Sequence, residues 1–176
     1  MSRGWERDRA AIHGFVERVA AEYGAASVMV DADLDGATGS RDVRIVLCGE
    51  TAREPADLVV AVDAPARADS WREYLVARAG SARKALLVVA DNSEKLGAGK
   101  GPATTELAAV LWSVGRVREH AYFGLPWLLG ATRTVQAPTG MLVRRGARLH
   151  AFVVDTAPRT PQARRRLRTI HEAGEA

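Results

Sequence analysis

Cysteine is nearly missing from this chain. Cys48 is the only one in 176 residues, so a disulfide framework is excluded and a cysteine-based zinc site has no basis. Cys48 reads as a small buried residue at a strand end. Long apolar runs are missing as well, since none approaches the ~18–20 residues that cross a bilayer. The opening stretch MSRGWERDRAAIHGF lacks the apolar core of a signal peptide. The expectation is a cytoplasmic protein that does not enter a membrane. His13, His120, His150 and His171 are scattered without ligand spacing, so no metal is expected. No Ser–His–Asp order marks a nucleophilic triad.

What is present points to a folded chain. Hydrophobic residues make up 47% of it, which argues against global disorder, and the length suffices for one domain with a real core. The net charge of +4 is unevenly spread. Asp31, Asp33, Asp35 and Asp42 cluster early, while Arg164, Arg165, Arg166 and Arg168 cluster near the end. Nearly all the basic residues are arginine and alanine is abundant, as a GC-rich genome produces. The terminal arginines form either a solvated helix face or a surface for nucleic acid.

Periodicity lays out the elements. Residues 4–24 form an amphipathic helix with Ile12, Phe15, Val16, Val19 and Tyr23 on one side and Gly24 as its stop. Strands follow at 27–31, 42–49 and 56–65, the last apolar throughout, as in a sheet covered on both faces. A helix is predicted over 68–84, a strand over 85–92, and a helix over 104–120 capped by Thr104 or Thr105. Residues 121–138 read as irregular and aromatic, 140–156 as two strands around Gly146, and the end as a short helix from about Pro161. Strands alternating with helices give a largely parallel α/β sheet with an antiparallel pair at one edge.

The run ADLVVAVDAPARADSWREYLVARAGSARKALLVVADN, residues 56–92, resembles class I S-adenosylmethionine-dependent methyltransferases. The entry into ASVMVDADLDG is similar to that family's approach to its cofactor loop, and the late hairpin belongs to the same fold. The resemblance implies one α/β domain over residues 1–176, a three-layer Rossmann-like sheet, mostly parallel with an antiparallel C-terminal hairpin and shortened in its first half. It also implies S-adenosylmethionine as the cofactor, with Asp31, Asp33 and Gly36 as its contacts.

The departures are specific. The family's loop follows acid-x-Gly-x-Gly-x-Gly. Here Val30 takes the acid's place, Ala32 the first glycine's and Leu34 the second's; only Gly36 fits. Glycines let backbone approach a ligand closely, whereas a leucine puts a side chain where the methionine part would lie. About a dozen residues separate Asp31 from Val43, too few for a helix, a strand and a helix. The strand at 42–49 then resembles the family's third, and the acid that holds the ribose is missing.

Several residues have a site reading beside a structural one. Asp63, in VDAP, sits where the family's substrate-facing turn begins, or simply ends a strand at a turn. Asp31, Asp63, Asp91 and Asn92 end strands, where α/β sheets bind ligands and where turns also favour such residues. GAGKGPATT, 97–105, lacks the glycine and hydroxyl of a phosphate loop, with Glu94 and Gly101 in those places. His120 lies among Tyr122, Phe123 and Trp127, in a segment, 120–129, that reads as core, pocket or partner contact.

Three functions follow as expectations. The first is a methyltransferase-like pseudoenzyme that has lost or altered S-adenosylmethionine binding, works without a cofactor, and acts as a regulatory subunit that binds a protein partner or a second copy through 120–129. The second is an active small methyltransferase in which Asp63 or His120 orients the nucleophile; such transfer needs alignment more than acid–base chemistry. The third is a nucleic-acid binder using Arg164, Arg165, Arg166 and Arg168. That third reading predicts binding that weakens steeply with salt as counterions are released. Retention of a labelled duplex that does not change with ionic strength rejects it.

Overall fold

In a computed structural model the described residues are 3–31, 42–46, 54–62, 70–92, 102–124, 135–136 and 146–156. Among them the chain runs α1 (Arg3–Glu22), β1 (Ser27–Asp31), β2 (Asp42–Val46), β3 (Ala56–Val62), α2 (Trp71–Gly80), β4 (Ala82–Asp91), α3 (Thr104–Val114), β5 (Arg116–Phe123), β6 (Val135–Gln136) and β7 (Leu149–Asp155). The seven strands form one sheet in the order β2-β1-β3-β4-β7-β5-β6. Strands β2, β1, β3 and β4 pair in parallel. β7 runs antiparallel to both β4 and β5, and β6 antiparallel to β5.

The middle runs of the central strands, residues 28–30, 58–62 and 85–90, are apolar because both faces of the sheet are covered. Val28, Val30, Leu58, Val60, Leu87 and Val153 pack against Ile12, Phe15, Val16 and Val19 of α1. The alternate residues, Met29, Val59, Leu86, Val88 and Phe152, pack against Leu75 of α2 and Leu107 and Leu111 of α3. Three layers result, as the sequence implies.

α1 ends in a motif the sequence announces. Gly24 takes a positive φ of 51°, its N–H donates to Ala21 O, and Ala25 N–H donates to Ala20 O. This pair of bonds closes the helix and lets Ala25 pack beside Ala20 in the core. Two other helices end earlier than periodicity suggests. The helix expected over 68–84 stops at Gly80, because Ala82 already pairs with Ala56 of β3; strand pairing overrides the helical preference of Arg83 and Lys84.

The helix expected over 104–120 stops at Val114, and 116–123 is a strand. A register shift between Val117 and Glu119 breaks its two-residue alternation and hides the strand in the sequence. β5, not residues 140–145, is thus the antiparallel partner of β7. Both edges of β7 are taken along its whole length, by β4 and β5. Residues 140–145 lie outside the described residues. The strand at 42–46 is hydrogen-bonded directly to β1. It takes the place beside the first strand, and the reading of it as a third strand is corrected accordingly.

Gly115 joins α3 to β5 where two backbones nearly touch. A Cβ there would lie 2.3 Å from the Asp155 carbonyl oxygen and 2.7 Å from Val154 Cγ1. Backbone cannot yield as a flexible side chain does. Gly115→Ala is expected to lower stability by about 1–3 kcal/mol, the usual result of overpacking, read as a fall in the urea midpoint at unchanged slope.

Candidate functional site

The strand order sets where a ligand would sit. From β1 the chain moves outward to β2, then returns to the other side of β1 to form β3. Ligands of open α/β sheets bind outside the carboxyl ends of the strands at such a reversal. Here that place lies above Asp31 and Val62, the last residues of β1 and β3.

Asp31 is the site candidate that the described residues place there. Its side chain follows Met29 on the α2/α3 face. It is buried, with Oδ2 3.3 Å from Nε of the equally buried Arg78 of α2. The Arg78 guanidinium also lies 4.9 Å from the Tyr74 ring centre. One helical turn separates Tyr74 from Arg78, so the two lie on one face of α2, with Arg78 reaching the end of β1. Val30, in the family acid's place, is buried in the core beneath α1. Asp33, Gly36 and Asp63 lie outside the described residues, as do Cys48, residues 97–101, residues 125–129, His171 and the four terminal arginines.

His120 belongs to a different place. It faces His150 across β5 and β7, with Nε2 3.2 Å from Nδ1. Its ring stacks on Phe152 at 3.9 Å and leans on Tyr122 at 4.5 Å. His150 is buried, and burial, followed by the adjacent His120 ring, pushes its imidazole down to about 3. Sequence reasoning left His150 unpaired because its strand partner could not be seen. Tyr122 and Phe123 are interior residues of β5, so neither presents a surface to a partner.

The registers measure the distance between the two candidates. Asp31 pairs with Ala61, Ala61 with Val88, Val88 with Phe152, and Phe152 with His120. Four strand spacings of ~4.8 Å put Asp31 and His120 roughly 19 Å apart. The structure does not bring them together. Asp91, continuing from Val89, falls on the α1 side of the sheet, so it does not converge with Asp31. Asn92 is a clamp: its Nδ2 donates to Ala147 O and its N–H to Arg148 O, both at 2.9 Å.

Other features lie elsewhere. A depression of about 150 Å³, lined by Ser27, Met29, Glu54, Pro55 and Arg83 among others, opens at the amino ends of β1 and β3. That is the edge opposite the strand reversal. The described residues contain no cluster of three metal-ligating side chains. None of their helices is long and apolar enough to cross a membrane.

The buried ion pair yields a prediction. Arg78→Met removes the cation and leaves a carboxylate inside the protein, which is expected to lower stability by about 3–5 kcal/mol. Adding Asp31→Leu is expected to recover most of that loss, since apolar replacement of both partners is often neutral. Denaturation of both single variants and the double variant checks the coupling.

Comparison with known proteins bears on the fold. No protein-family model matches the sequence, and no curated protein matches it. Among solved structures, a S-adenosylmethionine-dependent methyltransferase from Thermotoga maritima, described as a possible histamine N-methyltransferase, superposes with a TM-score of 0.54 at 9% identity, covering 86% of this chain and 99% of that one. An O-methyltransferase family protein from Burkholderia thailandensis gives 0.48 at 14% identity, over 86% and 60%. The magnesium protoporphyrin IX methyltransferase of Synechocystis PCC 6803 gives 0.45 at 8% identity, over 88% and 85%. With three layers, strand reversal at β1 and an antiparallel end, the chain has the fold of the class I S-adenosylmethionine-dependent methyltransferases.

Proposed function

We propose that this chain is a methyltransferase-type fold that works without S-adenosylmethionine, as a partner-binding or regulatory subunit. The observation that carries the reading is the ion pair of Asp31 with Arg78. A carboxylate at the end of β1 is the group expected to meet a cofactor there. Here it turns beneath α2 and is ion-paired with Arg78 inside the protein. Val30, in the place of the family's acid, lies in the core beneath α1. The described end of β1 therefore offers S-adenosylmethionine no outward-facing acid. His120 is set against His150 and Phe152, far from the strand reversal, which supports a structural role for it.

The large apolar side chain left exposed among the described residues is Trp112 of α3, at 60%. One such residue is ordinary on a surface, so it marks where to begin rather than what binds.

Calorimetry and thermal shift with S-adenosylmethionine test the reading directly. A ligand bound with micromolar affinity, supplied at a hundred times its Kd, raises stability by about 2.7 kcal/mol. The expected result is neither heat of binding nor a shift in Tm. Micromolar binding rejects the proposal and favours an active enzyme with an atypical cofactor loop. Sedimentation of the purified chain then separates a self-associating subunit from one that needs a different partner.

A further inference from the structure

We propose that the His120–His150 pair makes β5 an acid-releasable strand, the part of the sheet that lets go first when the medium acidifies. The geometry provides the latch. The two rings touch through nitrogen, Nε2 to Nδ1 at 3.2 Å, on a diagonal of the β5–β7 ladder in which His120 pairs with Phe152 and Tyr122 with His150. Such a contact places one proton between the two nitrogens, donated by one ring and accepted by the other. A second proton has no place in it.

Among the described residues, the surroundings of His150 offer no carboxylate to neutralise a charge. On its face of the sheet β4 contributes Val88 and Ala90, β7 Phe152, and α3 Leu111 and Val114, all apolar. β5 contributes His120 and Tyr122, the titratable groups whose rings stand against it. Residues Val135 and Gln136 of β6 do not titrate. The carboxylates at this end of the sheet work on the α1 side. Glu119 is held by Arg18, and Asp155 accepts a hydrogen bond from the Tyr23 hydroxyl. Asp91 lies on that side too. Of the cations on β5, Arg118 stands over the Tyr23 ring just past the end of α1, and Arg116 is exposed.

The sign of the pH effect follows. Burial holds the folded His150 at about 3, against an ordinary 6.5. A state that opens the pair takes up the proton and the closed state does not. The closed state's advantage is therefore complete above pH 6.5 and is lost as pH falls from 6.5 towards 3. Among the described residues β5 stands next to the outermost strand, β6, which pairs with it at two positions; Ala121 and Phe123 hold its α1 side in the core, whereas β1, β3 and β4 lie deeper in the sheet with neighbours on both faces. Local opening of this kind costs less than global unfolding.

Hydrogen exchange of the full chain at pH 8 and pH 5, corrected for the intrinsic pH dependence of exchange, tests the latch. One proton taken by a group of ordinary pKa 6.5 favours the open state about 30-fold at pH 5. The expected result is exchange faster by about that factor in amides of 116–123, with 56–62 and 82–91 unchanged. His150→Phe should abolish the difference. His150→Gln, which keeps a polar group but does not titrate in this range, should abolish it too and serves if the phenylalanine variant fails to fold. Equal acceleration in β3 and β4, no acceleration in β5, or an undiminished response in the folded variant overturns the proposal.

Discussion

Covering both faces of the central sheet is the constraint on which the rest of this molecule depends. A strand packed by α1 on one side and by α2 and α3 on the other has no solvent-facing row. Its polar residues must therefore find partners inside the protein or at the sheet's ends. β1, β3, β4 and β7 meet that demand mostly by being apolar. Two exceptions remain on the α2/α3 face, Asp31 and His150, and each is matched by a neighbour. Arg78 comes down from α2 to Asp31, and His120 reaches across from β5 to His150. The same constraint explains Asn92, whose amide and backbone are both spent on the chain entering β7.

That matching bears on function. A buried charge bound by an opposite charge is stable only while both remain. The Asp31–Arg78 pair therefore fixes the direction of the carboxylate at the strand reversal more firmly than a solvated acid would. The amino edge of the sheet is organised differently. There Asp57 accepts from Ala26 N–H and pairs with Lys84, which hold its carboxyl below the usual carboxylate range. These groups tie the end of α1 to β3 and β4, since Lys84 also donates to Gly24 O. Charges at both edges are thus engaged in joining elements.

Much of the fold was legible in the sequence where burial leaves a simple pattern. The all-apolar runs of β3 and β4 could only be strands covered on both sides, and the Gly24 stop is local chemistry. β5 was not legible. RVREHAYF carries charges at its start and a register shift after Val117, so neither period two nor an apolar run survives in it. Missing β5 also meant missing its pairing with β7, and with it the meeting of His120 and His150, which are thirty residues apart. Asp31 was visible as a strand-ending acid. Its partner was not, because Arg78 resembles any other arginine on a helix until the helix is laid on the sheet.

The fold alone does not decide whether a chain of this kind transfers methyl groups. Methyl transfer is an alignment problem, so a shortage of acids and bases says little about activity. What does discriminate is the cradle at the strand reversal, because there the backbone and one or two acids must face outward to meet a ligand. In this chain the described part of that cradle faces inward: Val30 goes to the α1 core and Asp31 to Arg78. A sheet can keep its strand order under such changes, since order is set by covering two faces and not by what lies above the strand ends. The same packing that preserves the architecture sets Asp31, at the end of β1, against Arg78 of α2, so the strand order of a fold and the direction of the acid at its reversal are fixed by separate contacts.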